Sequence, residues 1–428
     1  MRFSYRMPRD EMLFGLVVAS VHGSQHVFLR LFPPLIPILV VDLEASLWQL
    51  GLLVSVYLFA GGLFQAPMGV LSDRVDRRYL LIPAFLAMSL GYLIFVLAST
   101  VGTLLPAVAI FGHVFDGPYQ VMALGMFVAG FGYSAIHPVG YPLISANVSV
   151  ENKGKVLGMW GSASKLGDAV APLLVGVSAF GIVYAVLLFV IFRHERFETR
   201  PASRTADRDR GDTVDWRANP KQFLLPIAVV VLSFFFILFA GNGLQTYTPV
   251  FVADVYGYSL SIAGIEIQPA SVANFYFAVL LISGALSQLA MGVLTDVFDY
   301  RAVLMGLLGV STVGLFVLSS VSLTPLVLLL AFVVLGSCIF GLNPARDALI
   351  SDITPAELEG RTFGYIWTIA LVGSSAYPAI IGYLADSMGI QASFAFLAVG
   401  TLGGLACIGL LYSPYVYQER PTPTIGGD

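Results

Sequence analysis

The sequence predicts an all-α membrane protein of about twelve transmembrane helices, set as two pseudo-symmetric six-helix bundles around a central cavity. Three observations carry this: a composition too apolar for a water-facing surface, twelve runs long enough to cross a bilayer, and stretches of the first half that return in the second.

Hydrophobic residues make up 57% of the 428 residues and charged residues only 11%, against about a quarter charged in soluble domains. Mean hydropathy is +0.84. Most of the surface must therefore face lipid. The net charge of -4 and the pI near 5.7 argue against nucleic acid as a partner. Cys338 and Cys407 both lie in apolar runs and are expected as small packing residues, not a disulfide or metal pair.

A spanning helix needs about 20 mostly apolar residues. Such runs fall at 12–39, 48–72, 79–99, 121–147, 154–174 and 176–193, then at 222–252, 272–296, 301–320, 324–351, 360–384 and 391–413. Arg2, Arg6 and Arg9 precede a first run that is too long and too polar for a cleavable signal, so it reads as helix 1. The domains follow: a bundle over 1–193, a charged linker over 194–221, a second bundle over 222–413 and a tail over 414–428.

Basic residues set the orientation. With the N-terminus inside, Arg74, Arg77, Arg78, Lys153, Lys155, the linker set, Arg301, Arg361 and Arg420 all fall on the cytoplasmic side. The outer loops carry Asp42, Glu44, Asp116, Asp254, Glu266 and Asp386 instead. Both termini are expected in the cytoplasm, with the chain in the cell membrane as a monomer.

The halves repeat. QAPMGVLSDRVDRR at 65–78 matches QLAMGVLTDVFDYR at 288–301. A second match sets His137-Pro138 on Asn343-Pro344, Glu151 on Glu357, Lys155 on Arg361 and Pro172 on Pro378. The two offsets differ, which locates an insertion near 101–118 in the outer loop between helices 3 and 4. Parallel repeats of this kind place a central site between two bundles. Helices 5 and 6 are left with almost no outer loop, and their boundaries are the hardest to read.

GVLSDRVDRR at 69–78, with its degenerate copy GVLTDVFDYR at 292–301, resembles the signature loop between helices 2 and 3 of the major facilitator superfamily. The resemblance covers about the whole chain. It implies a cytoplasmic gate at Gly69, Asp73, Arg74 and Arg78, extended through the repeats to Gly292, Asp296, Arg301, Glu151, Lys155, Glu357 and Arg361. The chemistry fits: glycine permits close helix approach, Asp73 can cap a neighbouring helix, and the arginines can pair across halves. The same arginines also enforce topology. GMWGSASKLGDAVAPLLVG in helix 5 is similar to the glycine-proline pattern of proton-coupled antiporters, with Ala171 and Val175 where that pattern has glycine. FGYSAIHPVG in helix 4 resembles the fosmidomycin-resistance branch of drug exporters.

Ionisable groups inside a span are costly and are functional candidates by default. His22, His26 and Arg30 share one face of helix 1 at i, i+4, i+8. Lys165 and Asp168 stand at i, i+3 on helix 5, where they can line the cavity or simply neutralise each other. His137 lies in helix 4, Asn242 and Gln245 in helix 7, and Asn343, Arg346 and Asp347 in helix 10. His137 and Asn343 are also placed to be helix-bending features beside proline, and Arg346 with Asp347 can belong to the gate. The charge count leans positive and favours an anionic or polar solute. Asp168 is the leading proton carrier, and the histidines are a second option.

Neither a GxxxxGK[ST] loop nor an HExxH site occurs, so no cofactor, metal site or catalytic set is expected. Coupling must come from a proton or other ion gradient. The leading expectation is proton-coupled efflux of a small solute by alternating access; an uptake symporter for an anionic metabolite is the alternative. A membrane sensor or enzyme is a remote third.

Overall fold

The computed structural model describes residues 7–110, 112–173, 180–193, 197–200, 220–262, 265–294, 298–354 and 359–417. The first half is built from α1 (Arg9–Arg30), α2 (Ile36–Asp42), α3 (Leu47–Leu63), α4 (Gln65–Ser72), α5 (Arg78–Val96), α6 (Ala98–Val101), α7 (Gly117–Tyr133), α8 (Ile136–Asn147), α9 (Val150–Val170) and α10 (Phe180–Arg193). The second is α11 (Pro220–Phe251), α12 (Pro269–Leu294), α13 (Tyr300–Ser320), α14 (Pro325–Ile353), α15 (Glu359–Ser374), α16 (Tyr377–Met388) and α17 (Ile390–Leu410).

Several expected spans are helices in two pieces, and proline explains where they part. Proline clashes with the carbonyl four residues earlier and offers no N–H. Pro67, Pro138 and Pro378 each stand four residues past the point where α3, α7 and α15 end, at Leu63, just after Tyr133, and at Ser374. Pro33, Pro34 and Pro37 similarly divide α1 from α2 through a 3₁₀ turn.

Ten helices among the described residues are long and apolar enough to cross a membrane. The fifth and sixth expected spans correspond to α9 and α10. The first carries too many charges to qualify by apolarity, and the second is 14 residues in its described length, about 21 Å of helix. Large apolar side chains such as Val183, Leu286, Val313 and Leu326 are exposed, as a lipid-facing surface requires. Two short antiparallel hairpins add to the all-α expectation: β1 (Val108–Ile110) with β2 (His113–Phe115), and β3 (Leu260–Ile262) with β4 (Ile265–Ile267). The first hairpin occupies the insertion located at 101–118.

The repeat seen in the sequence is present in the packing. In the first half α1 lies on α9, α3 on α7, and α5 on both α7 and α10; in the second α11 lies on α15 and α16, α12 on α14, and α13 on both α14 and α17. The halves meet through two equivalent seams, α3 with α15–α16 and α9 with α12.

At the face opposite the termini the halves are hydrogen-bonded together. The Tyr247 hydroxyl of α11 lies 2.5 Å from the Pro378 carbonyl and 3.1 Å from that of Leu47. The Asp386 carboxylate at the end of α16 accepts from Leu47 N at 2.9 Å and Trp48 N at 2.8 Å, capping α3. Toward the termini, Tyr141 of α8 and Asp347 of α14 are within electrostatic reach of each other, yet 47% of Tyr141 and 43% of the Asp347 side chain are exposed.

Candidate functional site

The centre of the first half begins with two glycines. A Cβ at Gly167 of α9 would fall on the carbonyl oxygen of Gly23 in α1, so the helices cross backbone to backbone. This crossing puts Asp168 against the polar face of α1.

Asp168 is fully buried and has three donors. His26 Nδ1 lies 2.9 Å and Arg30 Nε 3.1 Å from its Oδ1, and Lys165 Nζ lies 3.0 Å from its Oδ2. Burying an ion is costly unless it is paired and hydrogen-bonded; one carboxylate here serves two fixed cations and an imidazole. The terminal nitrogens of Arg30 have no protein partner among the described residues, although only 9% of the residue is exposed. Lys165 also reaches the second half, its ammonium 5.4 Å from the centre of the Phe340 ring.

A histidine pair adjoins this centre. His22 stacks on Trp160, with ring centres 4.2 Å apart. Its Nδ1 is 2.8 Å from the Trp160 carbonyl and its Nε2 is 3.2 Å from Nε2 of His137. The His26 ring stands edge-on to His22 at 4.7 Å. Thus His22, His26, Arg30, His137, Lys165 and Asp168, drawn from three spans, form one connected group.

The second-half candidates stand apart from it. Arg346 is 4% exposed, lying over the rings of Phe234 at 4.2 Å and Trp367 at 5.1 Å and binding Asp347 at 2.8 Å. Asn242 and Asn343 are half-buried. Gln245 donates to the Gly241 carbonyl at 3.0 Å, and its Oε1 is buried without a partner. Tyr141, within electrostatic reach of both Arg346 and Asp347, links the two sets.

The gate candidates within the described residues make mostly local contacts. A Cβ at Gly69 would meet Pro138 at an ordinary 3.9 Å, so close approach does not demand glycine there. Asp73 and Arg74 are exposed. Arg78 binds Asp76 at 2.7 Å and the Phe192 carbonyl at 2.9 Å. Arg301 repeats this with Asp299 at 2.6 Å and the Leu411 carbonyl at 3.2 Å. These contacts do not span the halves; they fasten each loop to the last helix of its own half. Lys155 donates to Asn152, which donates to Glu11 at 2.7 Å. The side chains of Glu151 and Arg361, the surroundings of Gly292, and residues Asp296 and Glu357 lie outside the described residues.

Sequence reasoning did not single out Trp160, Tyr141, Phe340, Glu11, Tyr247 or the capping role of Asp386. Trp160 had a signal: it stands one turn and a residue before Lys165 on the same small-residue helix.

Two helical halves that share a packing scheme and enclose buried charges point to a membrane transporter, not an enzyme. The family model described as Major Facilitator Superfamily matches residues 18–280 and 266–427, and the chain belongs to that superfamily. It is 23% identical over 408 residues to the multidrug resistance protein MdtG of Yersinia enterocolitica, covering 91% of this chain and 90% of that one. It is 24% identical to a multi-drug resistance efflux pump PmrA homolog of Lactococcus lactis, over 82% of this chain and 83% of that one. Among solved structures, a bacterial homolog of the human lysosomal transporter Spinster, inward-facing and unoccupied, superposes with a TM-score of 0.72 at 13% identity, covering 98% of this chain and 100% of that one.

Proposed function

We propose that the chain is a proton-coupled exporter of a small anionic or polar solute, working by alternating access as a monomer in the cell membrane with both termini in the cytoplasm. The observation that carries the solute class is the imbalance at Asp168: one carboxylate answers Arg30 and Lys165, and the end of the Arg30 guanidinium is left without a protein partner among the described residues. A carboxylate or phosphonate can take that end in the paired geometry guanidinium favours. A lipophilic cation would meet two fixed positive charges in a medium that screens them poorly.

Export is supported by the efflux-pump name of the Lactococcus lactis relative and the drug-resistance name of the Yersinia one, and proton coupling by the ionisable cluster itself. Asp168 and the histidines are the groups available to exchange a proton with the solute's charge. The present arrangement, with the halves hydrogen-bonded together opposite the termini, fits a state closed on the outer side under the proposed topology.

Binding tests the solute class directly. A ligand that binds only the folded protein raises its melting temperature by mass action. Small carboxylates and phosphonates should raise it in wild type and do so less in Lys165→Ala; stabilisation by cationic dyes alone would reject the anion reading.

A further inference from the structure

We propose that His22 and His137 form a single proton-binding site with a fixed direction of loading, and that it, not the Asp168 carboxylate, takes up the coupling proton; this rests on the proton-coupled reading above. The argument is one of tautomers. A carbonyl oxygen can only accept, so His22 Nδ1, 2.8 Å from the Trp160 carbonyl, carries a hydrogen. Neutral His22 therefore has a bare Nε2. That atom lies 3.2 Å from His137 Nε2, so the bridging hydrogen belongs to His137. His137 Nδ1 is then bare, and it is buried with no hydrogen-bond partner.

The pair thus has one vacant acceptor at one end and a saturated donor at the other. An added proton binds His137 Nδ1, and the bridging hydrogen passes to His22 Nε2. The result is one extra proton and one extra positive charge: His22 becomes imidazolium, donating to the Trp160 carbonyl and to His137, while His137 returns to neutral with its hydrogen moved to Nδ1. Unloading runs the same moves backward. Asp168 is poorly suited to this task, because protonating it would break its hold on Arg30, Lys165 and His26 together.

The neighbours tie this charge to the solute site. His22 lies within electrostatic reach of His26 and Lys165 from α1 and α9, and His26 in turn faces Asp168 and Arg30. On the other side His137 is flanked by the rings of Tyr133 and Tyr141 at 6.1 and 6.3 Å. Tyr141 lies within electrostatic reach of Arg346 and Asp347. The entry point at His137 is therefore on the side of Tyr141, and the charged product sits on the side of Lys165.

Imidazole nitrogen-15 NMR of the full chain in lipid nanodiscs tests the site, read beside transport in proteoliposomes. At neutral pH the Nδ1–H form of His22, the Nε2–H form of His137 and a nitrogen–nitrogen coupling between the two Nε2 atoms are expected. On acidification the His137 hydrogen should move to Nδ1. An Nδ1–H form of His137 before acidification, or no coupling, overturns the proposal. For transport, His137→Gln should lose the stimulation by a pH gradient, read as the ratio of gradient-driven to gradient-free exchange in one preparation; a wild-type ratio in that variant overturns the coupling role. A wild-type protein showing the expected tautomers but ignoring the gradient would support the proton site and reject the coupled function.

Discussion

Asp386 caps α3 across the two halves: its carboxylate accepts the N–H groups of Leu47 and Trp48, residues 339 and 338 positions earlier in the chain. The first turn of a helix offers unpaired N–H groups and a partial positive charge, which a carboxylate satisfies. Under the proposed alternating access the halves part at this face, so a cap that joins them favours the state seen here. Asp386→Ala should remove about 0.5–2 kcal/mol from that state. Spin-label distances between the ends of α3 and α16 should then shift toward the separated population, and an unchanged distribution would reject the latch.

The crossing of α1 and α9 predicts a contrast between two glycines of one helix. Gly167→Val drives a side chain into the Gly23 backbone and should cost at least about 1–3 kcal/mol, with a matching fall in melting temperature. Gly158→Val should be neutral to within about 0.5 kcal/mol, since a Cβ there meets nothing within 4 Å. Equal losses at both positions would mean the crossing is not what sets the geometry.

The charge centre predicts an order of severity. Asp168→Asn leaves Arg30 and Lys165 buried without their carboxylate and should destabilise by about 3–5 kcal/mol. Lys165→Met leaves Asp168 still bound to Arg30 and His26 and should cost less. Adding Lys165→Met to Asp168→Asn should recover part of the loss, because one orphaned cation is removed. Thermal unfolding in detergent ranks the three variants.

On the cytoplasmic side of the proposed topology, Asp299 gives a pH prediction. Its hydrogen bonds from the Arg301 side chain hold its carboxyl below the usual range, with burial opposing. A depressed carboxylate stabilises fully above its unfolded value, about 3.9, and that contribution is lost as pH falls through the lower folded value. Asp299→Asn should therefore be less stable than wild type at neutral pH, with the gap closing as pH drops below about 4. A gap independent of pH would show that the ionised pair is not its source.

Much of the fold was legible in the sequence because its signals are local or repeated. Apolar runs set the spans, and the match of Asp76-x-Arg78 to Asp299-x-Arg301 reappears as two equivalent tethers. The helix breaks at Pro67, Pro138 and Pro378 were not legible, since Pro344, the repeat partner of Pro138, lies inside an unbroken helix. The grouping of His22, His26 and Arg30 followed from helical spacing alone. Contacts between distant spans were not legible: the stacking of His22 on Trp160, the Asp386 cap, and the preference of Arg78 and Arg301 for carbonyls of their own half. In each, the partner is fixed by the crossing of helices, which spacing along one chain does not encode. Polar α9 stayed ambiguous for a physical reason, since the charges that make it a site also lower its apolarity.

The central claim, proton-coupled movement of an anion through a positively charged centre, is tested most directly by transport in proteoliposomes under an imposed pH gradient. Anionic, neutral and cationic solutes would be compared in wild type and Lys165→Ala. Gradient-driven movement of an anionic solute is expected in wild type, reduced at least about tenfold in the variant, a loss of about 1.4 kcal/mol. Gradient-driven movement of cations with no anion response, or anion transport indifferent to Lys165, would contradict it.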